Sequence, residues 1–114
     1  MASLPQSRPR VAIYTRGTAR ATDQEQVCRA YAAQRGYRVH EAHVYAEDRL
    51  GTAQAPHLGL AAAVTAVRQR EVGAILVAGP DRISRDPAWL ARVEREVQQA
   101  GGRIEYAQED PRWP

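Results

Sequence analysis

Apolar and polar residues follow two different periods along the chain. Short runs rich in β-branched and aromatic residues predict strands, and apolar residues repeated every three or four positions predict helices between them. The predicted strands are 10–15, 37–47, 72–79 and 103–108. The third of these, VGAILVAG, is a continuous apolar run, which predicts a strand that is buried on both faces. In the second, Val39, Ala42, Val44 and Ala46 form a loose alternation.

The first predicted helix lies between the first two strands. Thr22 and Glu25 have the spacing of a capping box, in which Thr22 is the N-cap and Glu25 reaches back to it. The helix is therefore predicted to start near Asp23, and Gly36 is predicted to end it. The residues expected on its apolar face are Val27, Cys28, Tyr31 and Ala32.

Two further helices are predicted, one before and one after the third strand. HLGLAAAVTAVRQR (57–70) follows a Gly/Ala/Pro loop that runs through Pro56. Asp86 and Pro87 predict the N-cap and first position of the last helix, and Gly101 with Gly102 predicts its end. The core positions expected in the 57–70 helix are Leu58, Ala61, Ala62 and Val64.

Strands that alternate with helices indicate an α/β fold. We therefore predict a three-layer domain with a mostly parallel four-stranded sheet and helices on both faces. The domain is predicted to span residues 10–108, with flexible tails at 1–9 and 109–114.

Composition narrows the class of protein. A chain of 114 residues, 44% hydrophobic and 25% charged, is typical of one globular domain, and no apolar run is long enough to cross a bilayer. We expect no membrane partner and a cytoplasmic location, because no signal peptide is evident. Cys28, the only cysteine, is interpreted as a core residue. The net charge of +3 is too small to require an acidic partner. All sixteen basic residues are arginine, which a coding bias would explain.

Candidate chemistry follows the first and third strands. In a parallel sheet the loops that leave the carboxyl ends of the strands share one edge. If these two strands are neighbours, Arg16, Thr18 and the segment GPDRISRDP (79–87) converge there. Guanidinium groups bind phosphate through paired hydrogen bonds, so we predict that Arg16, Arg82 and Arg85 bind phosphate. The Thr18 hydroxyl is a candidate nucleophile, and Arg16 or Asp81 is a candidate to assist loss of its proton.

A structural role for the same residues stays open. Asp81 and Arg85 have the spacing of a local ion pair, Ser84 has the chemistry of a cap, and Thr18 suits a turn. The three histidines, His40, His43 and His57, have no partners at metal-binding spacing. We therefore predict no metal site and no cofactor.

Three segments resemble the catalytic domain of the serine recombinases, the resolvase and invertase family. They are VAIYTRGT, QVCRAYAAQRGYRV and ILVAGPDRISRDPAWL, and the similarity runs from about residue 10 to 108. The resemblance implies a resolvase-like fold and an attack on a DNA phosphodiester by a serine assisted by arginines. It places catalytic roles on Arg16, Gln24, Asp81, Arg82 and Arg85.

The sequence also departs from the family pattern. Thr18 stands where the family has its nucleophilic serine, with Gly17 before it, and the Ser-Gly and Arg-Pro signals appear as Leu50-Gly51 and Ala55-Pro56. The chain ends at EDPRWP, where relatives continue into a long helix and a DNA-binding domain. We expect recombination chemistry that is attenuated or absent in this chain alone. The alternative is a protein-interaction module that regulates a full-length recombinase. The expected partners are DNA, bound weakly through phosphates, or a recombinase-like protein, and an oligomer is possible.

Overall fold

The computed structural model describes residues 9–17, 21–47 and 58–108, and its elements alternate as the pattern predicts. A 3-10 turn, Pro80–Arg82, follows β3. The predicted tails and the 48–57 loop lie outside the described residues, apart from residue 9, so the domain limits stay a prediction. The helices and strands are β1 (Arg10–Arg16), α1 (Ala21–Arg35), β2 (Arg38–Glu47), α2 (Leu58–Arg68), β3 (Ala74–Val77), α3 (Pro87–Gln99) and β4 (Arg103–Tyr106).

The four strands form one sheet in the order β2-β1-β3-β4, and every neighbouring pair is parallel. The predicted α/β fold class is therefore confirmed. β1 lies between β2 and β3, so the loops that follow β1 and β3 leave the same edge side by side. We call this the carboxyl edge, and the opposite edge, where the strands begin, the amino edge.

Each face of the sheet is covered by helix. Side chains that alternate along β1 and β3 pack against α1 on one face and against α2 and α3 on the other. Cys28 lies fully buried in the α1 layer, as predicted. Tyr14 is fully buried in the opposite layer. No helix in the described ranges is long and apolar enough to span a membrane.

The start of α1 corrects a prediction. α1 begins at Ala21, so Thr22 lies inside the first turn and is not the N-cap. Glu25 does not reach back to Thr22, because its carboxylate accepts a hydrogen bond from Arg29 Nε at 2.8 Å. The capping-box prediction was wrong because an N-cap residue precedes the helix with extended backbone, whereas Thr22 is already helical. The cap predicted for α3 is confirmed, since Asp86 Oδ1 accepts from the N–H of Ala88 at 3.0 Å.

The prediction of which side of α2 faces the core was also wrong. Of the four predicted core positions only Val64 is buried, and Leu58 is 75% exposed. Alanines make this helix apolar on most sides, so periodicity alone does not fix its rotation. The larger residues decide it, because they fill the space above the sheet. The buried residues are Leu60, Ala63, Val64, Ala66 and Val67.

β2 is less regular than its predicted alternation. Val11 pairs with Val39 and Ile13 pairs with Val44, so residues 40–43 lie opposite Ala12 alone. Val39 and Val44 pack in the α1 layer. The two alanines of the predicted alternation, at 42 and 46, are exposed. Ala46 lies on the same side of β2 as Val44, so its exposure reflects the position of β2 at the edge of the sheet and not the register shift.

Glu105 ties the edge strand β4 to α1. Its carboxylate accepts hydrogen bonds from Tyr31 Oη at 2.8 Å, from Tyr37 Oη at 3.0 Å and from Arg103 Nε at 2.6 Å. Burial alone would raise the pKa of Glu105, but these hydrogen bonds outweigh it and hold the pKa below its usual value. The cluster therefore stabilises the charged form of Glu105.

Candidate active site

The carboxyl edge brings Arg16 against the loop that follows β3. Arg16 is the last residue of β1 and is only 4% exposed. Its guanidinium Nη1 donates a hydrogen bond to the backbone carbonyl of Ile83, just beyond the 3-10 turn that follows β3. The end of β1 is therefore in direct contact with the loop after β3, and Thr18 lies outside the described residues. The phosphate-binding role predicted for Arg16 stays a prediction, and the contact itself gives Arg16 a structural one.

Gln24 holds the backbone of Arg16 from the first turn of α1. Its Oε1 accepts from the N–H of Arg16 at 3.0 Å, and its Nε2 donates to the carbonyl of Arg16 at 2.8 Å. The pairing of β1 with β3 ends two residues earlier, at Tyr14 and Val77. The buried amide of Gln24 thus supplies the partners that β3 no longer offers, and it fixes the residue immediately before Gly17.

The loop after β3 places the other predicted residues near the surface. The Asp81 carboxylate lies 3.9 Å from Arg82 Nε, a loose pair of partly exposed groups. The ion pair considered between Asp81 and Arg85 does not form, and Arg85 is exposed. Ser84 Oγ accepts from the N–H of Asp86 at 3.0 Å, so it shapes the loop and does not cap α3. Exposed pairs of this kind contribute little to stability, which leaves the arginines available to a ligand.

A cleft of about 280 Å³ opens on this edge. It contains Gln24 and Arg82, and therefore joins α1 to the loop after β3. The predicted residues Arg16, Asp81 and Arg85 do not line it, and Thr18 lies outside the described residues. The described residues that line it are Asp23, Gln24, Val27, Ala78, Arg82 and Gln108.

The electrostatics of the edge favour an anion beside the arginines. α1 and α3 each follow a strand, so both begin at the carboxyl edge, and helix N-termini carry partial positive charge. Asp23 at the start of α1 contributes the opposing charge within the cleft, which favours the Arg82 side for an anion. No group of three or more potential metal ligands occurs within residues 9–17, 21–47 and 58–108.

Sequence reasoning missed Glu47, which links three segments behind the site. Its carboxylate accepts from the hydroxyl of Tyr14 and from the N–H of Gly59 at 2.6 Å, at the start of α2. Its backbone carbonyl accepts from the N–H of Gly17 at 2.8 Å. Burial and the contact with Glu47 raise the pKa of Tyr14 far above its usual value, so Tyr14 stays a donor. A lone glutamate at the end of a strand gave no signal of this role.

The fold and this edge define a parallel α/β domain with a candidate anion site where β1 and β3 end. The chain belongs to the resolvase N-terminal domain family, whose model matches residues 10–113. The family resemblance and the resolvase-like fold predicted from the sequence are therefore confirmed. No curated protein matches the sequence.

Solved structures of serine recombinases have the same fold. The C-terminal catalytic domain of ISC1926 TnpA, an IS607-like serine recombinase, is 24% identical with a TM-score of 0.73, over 88% of this chain and 70% of that one. The N-terminal catalytic domain of TP901-1 integrase is 20% identical with a TM-score of 0.74, over 86% and 76%. A resolvase family site-specific recombinase from Streptococcus pneumoniae is 17% identical with a TM-score of 0.72, over 88% and 72%.

Proposed function

We propose that this recombinase-family domain binds the phosphate backbone of duplex DNA at its carboxyl edge and that its strand-transfer chemistry is attenuated. The observation that carries the proposal is the position of Arg82, which lines the cleft beside Gln24 with its side chain 34% exposed. Its loose pair with Asp81 is the kind that a phosphate displaces at little cost. Arg85, exposed in the same loop, supplies a second guanidinium.

The buried residues have a different part in this proposal. Arg16 and Gln24 act as positioning residues, because they join β1, α1 and the loop at Ile83 through hydrogen bonds to backbone atoms. Asp81 orients Arg82 in the absence of DNA. A phosphate that approaches Arg82 therefore meets a preorganised edge, which lowers the cost of binding.

The chemistry proposed for Thr18 rests on the family resemblance. The threonine hydroxyl attacks the phosphorus of a phosphodiester, its proton passes to a base, and a bond forms between the Thr18 oxygen and the 5′ phosphate. The bond from phosphorus to the 3′ oxygen breaks, and that oxygen leaves protonated. The extra methyl group of threonine restricts χ1 and crowds the attack, so transfer is slower than with serine.

Binding is tested by fluorescence anisotropy with a labelled duplex at several salt concentrations. Arg82→Ala and Arg85→Ala should each weaken binding and reduce the salt slope by about one for each phosphate that is no longer neutralised. Arg95→Ala is the matched control, since it removes an exposed arginine from the middle of α3. Unchanged affinity in both loop variants would refute the binding proposal. A stable complex with a protein, together with negligible DNA affinity at physiological salt, would support the interaction module.

Attenuation is tested by trapping a covalent adduct on a nicked duplex. Thr18→Ser should form the adduct faster than the native chain, and Thr18→Val should form none. Native and Thr18→Ser chains that react equally fast would contradict attenuation. If neither chain reacts while both bind DNA, the edge is a phosphate-binding surface without chemistry.

A further inference from the structure

A second cleft lies at the amino edge of the sheet, where the strands begin, and the proposed DNA-binding cleft lies at the carboxyl edge. We call the second one the amino-edge cleft. It encloses about 220 Å³ between the start of β1, the end of α2 and the end of α3. Arg10 and Arg70 line it together with Glu71, Gly73 and Gly101. Gly73 donates its N–H to the carbonyl of Arg10 at 2.8 Å, which fixes the backbone of one arginine at the rim.

The arginines of the amino-edge cleft have no protein partners in the part of the chain that the structure describes. Within the described ranges, the side chains of Arg10 and Arg70 form no hydrogen bond or ion pair, and both residues are exposed. Arg38 adds a third positive charge, because it is the register partner of Arg10 on β2. Like charges on neighbouring strands repel each other, so the arrangement favours an external anion.

The acidic residue in the lining, Glu71, forms no ion pair with Arg10 or Arg70 within the described ranges. Glu71 Oε2 lies 3.2 Å from Nε2 of His43 on β2. Its carboxylate therefore contacts an imidazole and neither arginine, although it still offsets part of the positive charge of the cleft. The guanidiniums of Arg10 and Arg70 keep their hydrogen-bond donors for a ligand.

Arg70 also has an unusual backbone. The described α-helices α1, α2 and α3 end with the same pair of hydrogen bonds, in which the residue after the last turn adopts a left-handed conformation. Gly36 and Gly101 fill that position after α1 and α3, with φ of +72° and +99°. After α2 it is filled by Arg70, with φ of +61°, although left-handed backbone disfavours residues that carry a Cβ. The strained backbone at Arg70 supports the hypothesis that its side chain has a role at the cleft.

We propose that the amino-edge cleft binds a phosphate group, held between the guanidiniums of Arg10 and Arg70. The seven residues of β1 separate the two edges by about 20 Å, and the edges face in opposite directions. The phosphate therefore belongs to a second nucleic-acid segment or to a smaller phosphorylated molecule. The site is independent of the proposed DNA-binding cleft.

The test is an NMR titration of the uniformly ¹⁵N-labelled chain, which reports each edge separately. Inorganic phosphate, a dinucleotide and a short DNA duplex are the three probes. Saturable amide shifts at 70–73 and 100–102 are expected with at least one probe. Saturation by inorganic phosphate identifies a small ligand as sufficient, and saturation by the duplex alone identifies a nucleic-acid backbone. Shifts that never saturate, or that occur only near Gln24 and Arg82, would overturn the proposal.

Arg70→Gly separates binding from folding. It should raise the melting temperature, because glycine adopts the left-handed backbone without strain. It should also weaken phosphate binding about tenfold, as expected for loss of a charge-assisted hydrogen bond. Arg10→Ala should weaken binding similarly, and Arg95→Ala should not. If Arg70→Gly and Arg10→Ala bind as tightly as the native chain, the amino-edge cleft is not a phosphate site. If Arg82→Ala leaves DNA binding unchanged, that result counts against the proposed DNA-binding cleft at the carboxyl edge. It does not test the amino-edge cleft.

Discussion

The amide of Gln24 offers the sharpest test of how the candidate site is held. Gln24→Ala removes both hydrogen bonds to the backbone of Arg16, at 3.0 and 2.8 Å. Gln24 is 4% exposed and Arg16 is equally buried. The substitution therefore leaves one N–H and one carbonyl of Arg16 without their protein partners at a buried position.

The expected loss of stability follows from the cost of unpaired polar groups. A buried donor or acceptor that loses its partner costs about 1–3 kcal/mol. Water that enters the space left by the side chain satisfies part of this demand, so we expect a loss of about 2–4 kcal/mol for the two groups together. That is a large share of the roughly 5–15 kcal/mol that stabilises a typical domain.

Equilibrium unfolding in urea measures this loss. Gln26→Ala is the matched control, because it removes the same side chain from an exposed position of the same helix. Hydrogen exchange at the amide of Arg16 should also accelerate in Gln24→Ala and not in the control. If the two variants differ by less than about 0.5 kcal/mol, the normal scatter of surface substitutions, Gln24 does not hold β1 as described.

Three further predictions concern the rest of the fold. Because the pKa of Glu105 is lowered by folding, its contribution to stability is present above the unfolded pKa and is lost as pH falls through the folded one. Glu105→Gln should therefore lower stability at neutral pH and flatten the decline in stability as pH falls below the unfolded pKa, measured by urea unfolding. An unchanged decline at acid pH would contradict this. Gly102→Ala should lower the free energy of unfolding by about 1–3 kcal/mol, because the added Cβ would lie 2.6 Å from Val67 Cγ1. Thermal melts measure this loss, and unchanged stability would show that the loop adjusts. Burial raises the pKa of the Cys28 thiol to about 12, so iodoacetamide at pH 8 should modify it only after unfolding, and rapid native labelling would disprove that burial.

Most of the fold could be predicted because its signals are local. The buried run that contains β3 and the Asp86–Pro87 start of α3 each depend on a few neighbouring residues. The rotation of α2 could not be predicted, because alanine is small enough to face either the core or solvent. The register shift in β2 depends on its pairing with β1, which the sequence of β2 alone does not contain.

The candidate site was predictable to a smaller extent. Convergence of the two loops required β1 and β3 to be neighbours, and the sequence offered this only as a condition. The hydrogen bonds made by Gln24 depend on where β3 stops relative to β1, a property of the assembled sheet. The same holds for Glu47, whose partners come from two separate segments, the end of β1 and the start of α2. Thr18 lies outside the described residues, so its role as the nucleophile stays a prediction.

The interactions that hold the carboxyl edge differ in kind from those proposed to bind DNA, and salt separates the two. Gln24 and Arg16 act through buried hydrogen bonds to backbone atoms, which dissolved ions do not reach. Arg82 and Arg85 would act through partly exposed charges, which salt screens strongly. Added salt should therefore release DNA while the Arg16 amide stays protected from exchange. A loss of protection in parallel with DNA release would mean that DNA, and not the Gln24 amide, orders this edge.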